Sequence, residues 1–109
     1  MRRSEYQQKI ENHLRSAYLL SDDKIEEVLP RFIANLQSLM NDLEKHSNSE
    51  NIEALNRTGH TMKGALLNLG LMQLADIAFS IEKFDALQDN KTDLAKRITE
   101  LKNELGKIN

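Results

Sequence analysis

The sequence predicts an all-α protein, an antiparallel four-helix bundle with an additional N-terminal helix. Three observations carry this expectation. Apolar residues recur at spacings of three and four through five segments, and none of them alternates in the manner of a half-buried strand. Only one proline and four glycines occur in 109 residues, so turn signals are few. The polar stretches between segments are short, and short connectors between amphipathic helices imply antiparallel neighbours.

The first segment runs from about Ser4 to Leu20 and places Tyr6, Ile10, Leu14 and Ala17 or Tyr18 on one face. Ser21 and Asp22 are good caps for the second. That segment spans 22–46 and carries Ile25, Val28, Leu29, Phe32, Ile33, Leu36, Leu39, Met40 and Leu43. Pro30 interrupts it. An interior proline removes a backbone hydrogen bond, so a kink or a fresh start is expected there. A polar connector from Ser47 to Asn51 leads to the third segment, about Asn51 to Leu69. Its apolar stripe is Leu55, Met62, Ala65 or Leu66, and Leu69, with Thr58 in the middle. Gly70 can end it in a left-handed cap. The fourth runs from about Met72 to Leu87, with Leu74, Ala75, Ala78, Ile81 and the aromatic pair Phe79 and Phe84. Asn90 can cap a fifth, bearing Leu94, Ile98, Leu101, Leu105 and Ile108.

Size and composition bound the function. A chain of 109 residues fits one domain, read here as residues 1–109. Its 15 basic and 17 acidic residues are well mixed, for a net charge of −2. No concentrated basic face speaks for nucleic acid, and the Arg2–Arg3 pair is too small to change that. The absence of cysteine excludes disulfides and thiolate zinc sites. No apolar run is long enough for a bilayer, so no membrane role is expected. The first residues lack the apolar stretch of a secretory signal, which gives the expectation of a cytoplasmic protein.

The run Gly59-His60-Thr61-Met62-Lys63-Gly64 stands out within the third segment. Glycine inside a helix costs roughly 1 kcal/mol relative to alanine. Two glycines around a histidine break the local rule for stability, and such breaks are expected at functional sites. At about 100° per residue, the apolar stripe lies opposite His60, which therefore faces solvent. His60 shares its face with Asn56, Arg57, Lys63, Gly64 and Leu67. Leu67, two turns on, suits a small partner-docking patch.

The chemistry these residues permit is phosphoryl transfer. A neutral imidazole is a nucleophile near physiological pH. A lysine one turn away can neutralise phosphoryl oxygens. A glycine at the next position leaves a donor room to approach. An exposed histidine near a lysine is more often plain solvated surface, so the motif alone does not decide.

The run His60-Thr61-Met62-Lys63-Gly64-Ala65-Leu66-Leu67-Asn68-Leu69-Gly70 resembles the signature of histidine-containing phosphotransfer (HPt) domains. Leu29 to Leu36 looks like that family's helix before the site, and Leu74 to Glu82 like the helix after it. The resemblance covers about 28–82. It implies that His60 is the phosphoacceptor through Nε2, that Lys63 stabilises phosphoryl charge and that Gly64 provides clearance. It also implies that Glu82 accepts a hydrogen bond from Nδ1–H and fixes the tautomer. Gly59 stands where alanine is common in the family, and Leu66 is bulky where a small residue is frequent. Gly59 is expected to loosen the helix or to permit close packing.

The function implied is a phosphorelay intermediate between response-regulator receiver domains, with a hybrid sensor histidine kinase as a further partner. Such a protein is a stoichiometric phosphoryl carrier and not an enzyme acting on nucleotides. No phosphate loop of the Gly-x-x-x-x-Gly-Lys-Ser/Thr type occurs. No cofactor is expected, and Mg²⁺ would come from the receiver. The alternative is a phosphorylation-independent receiver-binding or inhibitory bundle, in which Asn56, Arg57 and Leu67 dock and His60 is idle. A metal-binding bundle has little support, because His13, His46 and His60 form no Glu-x-x-His pair. A kinase dimerisation domain is disfavoured because Thr61, and not an acidic residue, follows the histidine. With Leu67 the only obvious apolar patch, a monomer is expected.

Overall fold

A computed structural model describes residues 4–108; Arg2 and Arg3 lie outside them. The expected architecture is observed. The helices are α1 (Glu5–Ala17), α2 (Asp22–Asn48), α3 (Ile52–Asn68), α4 (Met72–Glu82) and α5 (Lys91–Gly106). Helices α2 to α5 form a ring in which each packs against its two neighbours, and α1 lies against α2. Cross-links show the antiparallel sense. Asn56 reaches Phe84 while Lys63 overlies Phe79. Glu50 pairs with Lys91 while Glu44 pairs with Lys102.

The core is the apolar stripe of each helix. Ile10, Ile25, Leu36, Leu43, Leu55, Met62, Leu66, Ile81 and Leu101 are fully enclosed. Side-chain caps start four helices: Ser4, Ser21, Asn51 and Asn90 each accept a backbone N–H from the first turn. These bonds satisfy donors that the helix itself leaves open. Gly70 ends α3 as expected, at φ +76°. Its N–H donates to the Leu67 carbonyl and the Leu71 N–H to that of Leu66, the paired bonds of a Schellman motif. A side chain at Gly70 would also collide with the His13 ring, at 2.5 Å. Glycine is therefore required there twice over.

Two expectations need correction. Helix α2 does not restart at Pro30 but continues through it to Asn48. Pro30 is exposed, so its missing N–H lies on the solvent side. Buried Ile25 and Leu29 on one side of it, and Leu36, Met40 and Leu43 on the other, hold both halves to one core. Helix α4 ends at Glu82, short of the expected Leu87. The Asn56 amide donates to the carbonyls of Ile81 and Phe84, at 3.0 and 3.1 Å, and closes the helix end. Beyond it, Asp85 accepts the Leu87 N–H and Asp89 accepts the Asp85 N–H, which shapes a turn.

Candidate phosphoacceptor site

The site lies where α3 and α4 approach most closely, and Gly59 makes that approach. Gly59 is buried against α4. A Cβ on it would stand 2.8 Å from the Glu82 nitrogen and 3.2 Å from the Ala78 carbonyl. Backbone thus meets backbone, and the end of α4 is drawn in beside His60. Close packing, of the two expectations for Gly59, is the one the structure supports. Gly64 differs, because its missing side chain faces open space with nothing within 4 Å.

His60 projects outward, with 69% of its side chain exposed. Its Nδ1 lies 2.9 Å from Glu82 Oε1. Lys63 Nζ stands at the same distance from the same oxygen. The Lys63 hydrogen bond, helped by that of His60, holds the Glu82 carboxyl below its ordinary range against the opposing effect of burial. An ionised carboxylate only accepts hydrogen bonds. The neutral ring must therefore carry its proton on Nδ1, which leaves the Nε2 lone pair free.

The structure brings His60, Lys63 and Glu82 together. Lys63 was expected to stabilise phosphoryl charge; its ammonium is tied to Glu82 here and lies 4.9 Å from the centre of the Phe79 ring. Arg57 is exposed and pairs with Glu53 at 3.6 Å, one turn back along α3. Leu67 is exposed on the same helix. Asn56 was expected to dock a partner, but its amide is committed to the end of α4, so its donors belong to the fold.

Two residues at the site escaped sequence reasoning. Phe79 is 44% exposed despite its place among apolar neighbours, and lies under both Lys63 and Lys83. Lys83 Nζ stands 3.6 Å from Glu82 Oε2. A signal existed for Phe79: it lies three residues before Glu82, on the same helix face. Among the described residues no group of three or more His, Asp or Glu side chains could hold a metal. No helix among them is long and apolar enough to cross a membrane.

An outward histidine with a fixed tautomer, mounted on a four-helix bundle, defines a class of phosphotransfer modules. The family model of the Hpt domain matches residues 27–109. The chain belongs to the Hpt domain family, the histidine-containing phosphotransfer modules of two-component signalling. It is also similar to the chemotaxis protein CheA of Borreliella burgdorferi, at 32% identity over 85 residues. That match covers 70% of this chain but only 10% of CheA, so this chain spans a small part of its relative's length. No solved structure gave a significant match.

Proposed function

We propose that the protein carries a phosphoryl group on His60 between response-regulator receiver domains. The observation that most supports this is the bond from His60 Nδ1 to Glu82, which leaves Nε2 exposed as a nucleophile. In the transfer, the Nε2 lone pair attacks the phosphorus of a receiver's aspartyl phosphate. The N–P bond forms, the P–O bond to aspartate breaks, and the aspartate leaves as a carboxylate. The ring keeps its Nδ1 proton and becomes cationic, and the Glu82 carboxylate faces that charge. Lys63 exchanges its place on Glu82 for the phosphoryl oxygens. In-line positioning and charge neutralisation are the main demands of such a step.

The residues around His60 suit an acidic partner site. Lys63, Lys83 and Arg57 supply positive charge, while Leu67 and Phe79 supply exposed apolar surface. Gly64 leaves room for the receiver's phosphorylated loop. Mg²⁺ would be held by the receiver. The carrier acts stoichiometrically, as a monomer in the cytoplasm, and residues 1–109 act as a single module. Its phosphoryl group would originate from a sensor histidine kinase carrying its own receiver.

The competing function is a bundle that binds receivers without accepting phosphate. Measuring receiver affinity and phosphoryl transfer in His60→Ala separates the two. The carrier reading expects affinity within a few-fold of the parent and complete loss of transfer. A parent protein that binds receivers and never accepts phosphate would favour the binding bundle, and transfer unchanged in His60→Ala would move the acceptor to another residue.

A further inference from the structure

Glu82 is gripped by more cations than a tautomer clamp requires. Its Oε1 faces both His60 Nδ1 and Lys63 Nζ, each at 2.9 Å. Its Oε2 faces Lys83 Nζ at 3.6 Å. The Phe79 ring lies beneath both ammonium groups, 4.9 Å from Lys63 and 5.4 Å from Lys83. Two lysines thus share one carboxylate and one aromatic ring, but they use different carboxylate oxygens.

The transfer chemistry makes a demand on this arrangement. Lys63 is held on Glu82, yet its charge is needed at the phosphoryl group on Nε2. Once it leaves, the sheltered carboxylate loses its strongest partner. A second cation on Oε2 can keep the carboxylate charged and in place without competing for the oxygen that His60 uses. We propose that Lys83 is a positioning residue that holds Glu82 through Oε2 while Lys63 serves the phosphoryl group, so that Nδ1–H keeps its acceptor. This inference rests on His60 being the phosphoacceptor.

The pair is loose and Lys83 is 64% exposed, so it contributes little while Lys63 is present. Its effect emerges when Lys63 is withdrawn, which makes the two lysines non-additive. Lys83 has a competing claim on it, because it also lines a cleft with Asp89, Asp93 and Arg97.

Lys63→Gln imitates the departure of Lys63 with no need for phosphorylation. The readout is the ratio of Nδ1–H to Nε2–H tautomer of His60, by nitrogen NMR, about two pH units above the ordinary histidine pKa. Lys63→Gln and Lys83→Gln should each stay within about twofold of the parent ratio. The double variant should fall at least about fivefold, and Lys83→Arg in the Lys63→Gln background should preserve the ratio. A double variant equal to Lys63→Gln overturns the proposal, and would mean that Lys83 serves the acidic cleft instead. A fall in Lys83→Gln as deep as in the double variant also overturns it, as plain support of the helix end. Treating the parent protein with phosphoramidate tests the underlying reading separately. Absence of phosphohistidine at His60 would overturn the phosphoacceptor role, while the tautomer ratios still judge the hold of Lys83 on Glu82.

Discussion

Gly59 and Gly64 flank His60 and look alike in the sequence, but they face different surroundings. Gly59 faces the Glu82 backbone, a contact made across the bundle, so nothing local could reveal it. Gly64 faces open space, and the helical register alone pointed there. Gly59→Ala must push α4 outward, at a cost of about 1–3 kcal/mol, the usual scale of overpacking. Urea unfolding should show that loss, and NMR should show a weakened His60–Glu82 bond. Gly64→Ala meets nothing and replaces a poor helix former with the best one, so stability should rise by roughly 1 kcal/mol. Under the proposed function the same methyl would stand in the path of an approaching receiver, and transfer should slow by about tenfold, the effect of roughly 1.4 kcal/mol. A pH series tests Glu82. Its carboxyl is held below the ordinary 4.5 in the folded state, so its contribution to stability is present above that pH. It is lost as the pH falls through the lowered value. Glu82→Gln should therefore lower the melting temperature near neutral pH and cost progressively less as acid is added.

At the scale of elements, apolar spacing gave all five helices, and cap residues placed the starts of α2 and α5. Their ends were less legible. Helix α4 was expected to reach Leu87 because Phe84 and Leu87 continue its apolar pattern. It stops at Glu82, where an asparagine on the neighbouring helix takes the Ile81 carbonyl in its last turn and the Phe84 carbonyl just beyond. Those bonds join residues brought together only by the tertiary fold. At Pro30 the fresh start, one of the two outcomes expected there, does not occur, because burial on both sides of it outweighs the local rule for proline. Asn56→Ala should cost about 1–2 kcal/mol in thermal unfolding, as the loss of a cap does. Receiver affinity should change less than it does in Leu67→Ala, since the Asn56 amide is already engaged.

At the scale of the molecule, α1 ties the two ends of the described chain together. Ser4 Oγ and Gln7 Nε2 both donate to the Ile108 carbonyl, at 2.7 and 2.6 Å. The Tyr6 hydroxyl donates to the Glu104 carboxylate, a bond that, with burial, pushes the Tyr6 pKa up to about 12. The tie is intact below the ordinary tyrosine value of 10.0 and is lost as the pH rises toward about 12. Tyr6→Phe should lower the melting temperature at neutral pH, and the gap to the parent should close in that alkaline window. The far end of α1 rests on the turn between α3 and α4, where His13 fills the space that Gly70 leaves. In the proposed function this bundle presents His60, held outward with Nδ1 on Glu82, as the phosphoacceptor. The most direct measurement of that claim is to incubate the protein with a panel of phosphorylated receivers and follow the label. Acid-labile, base-stable label should appear on the parent protein and be absent from His60→Gln. Label that persists in His60→Gln, or that never reaches the parent protein, would contradict the account.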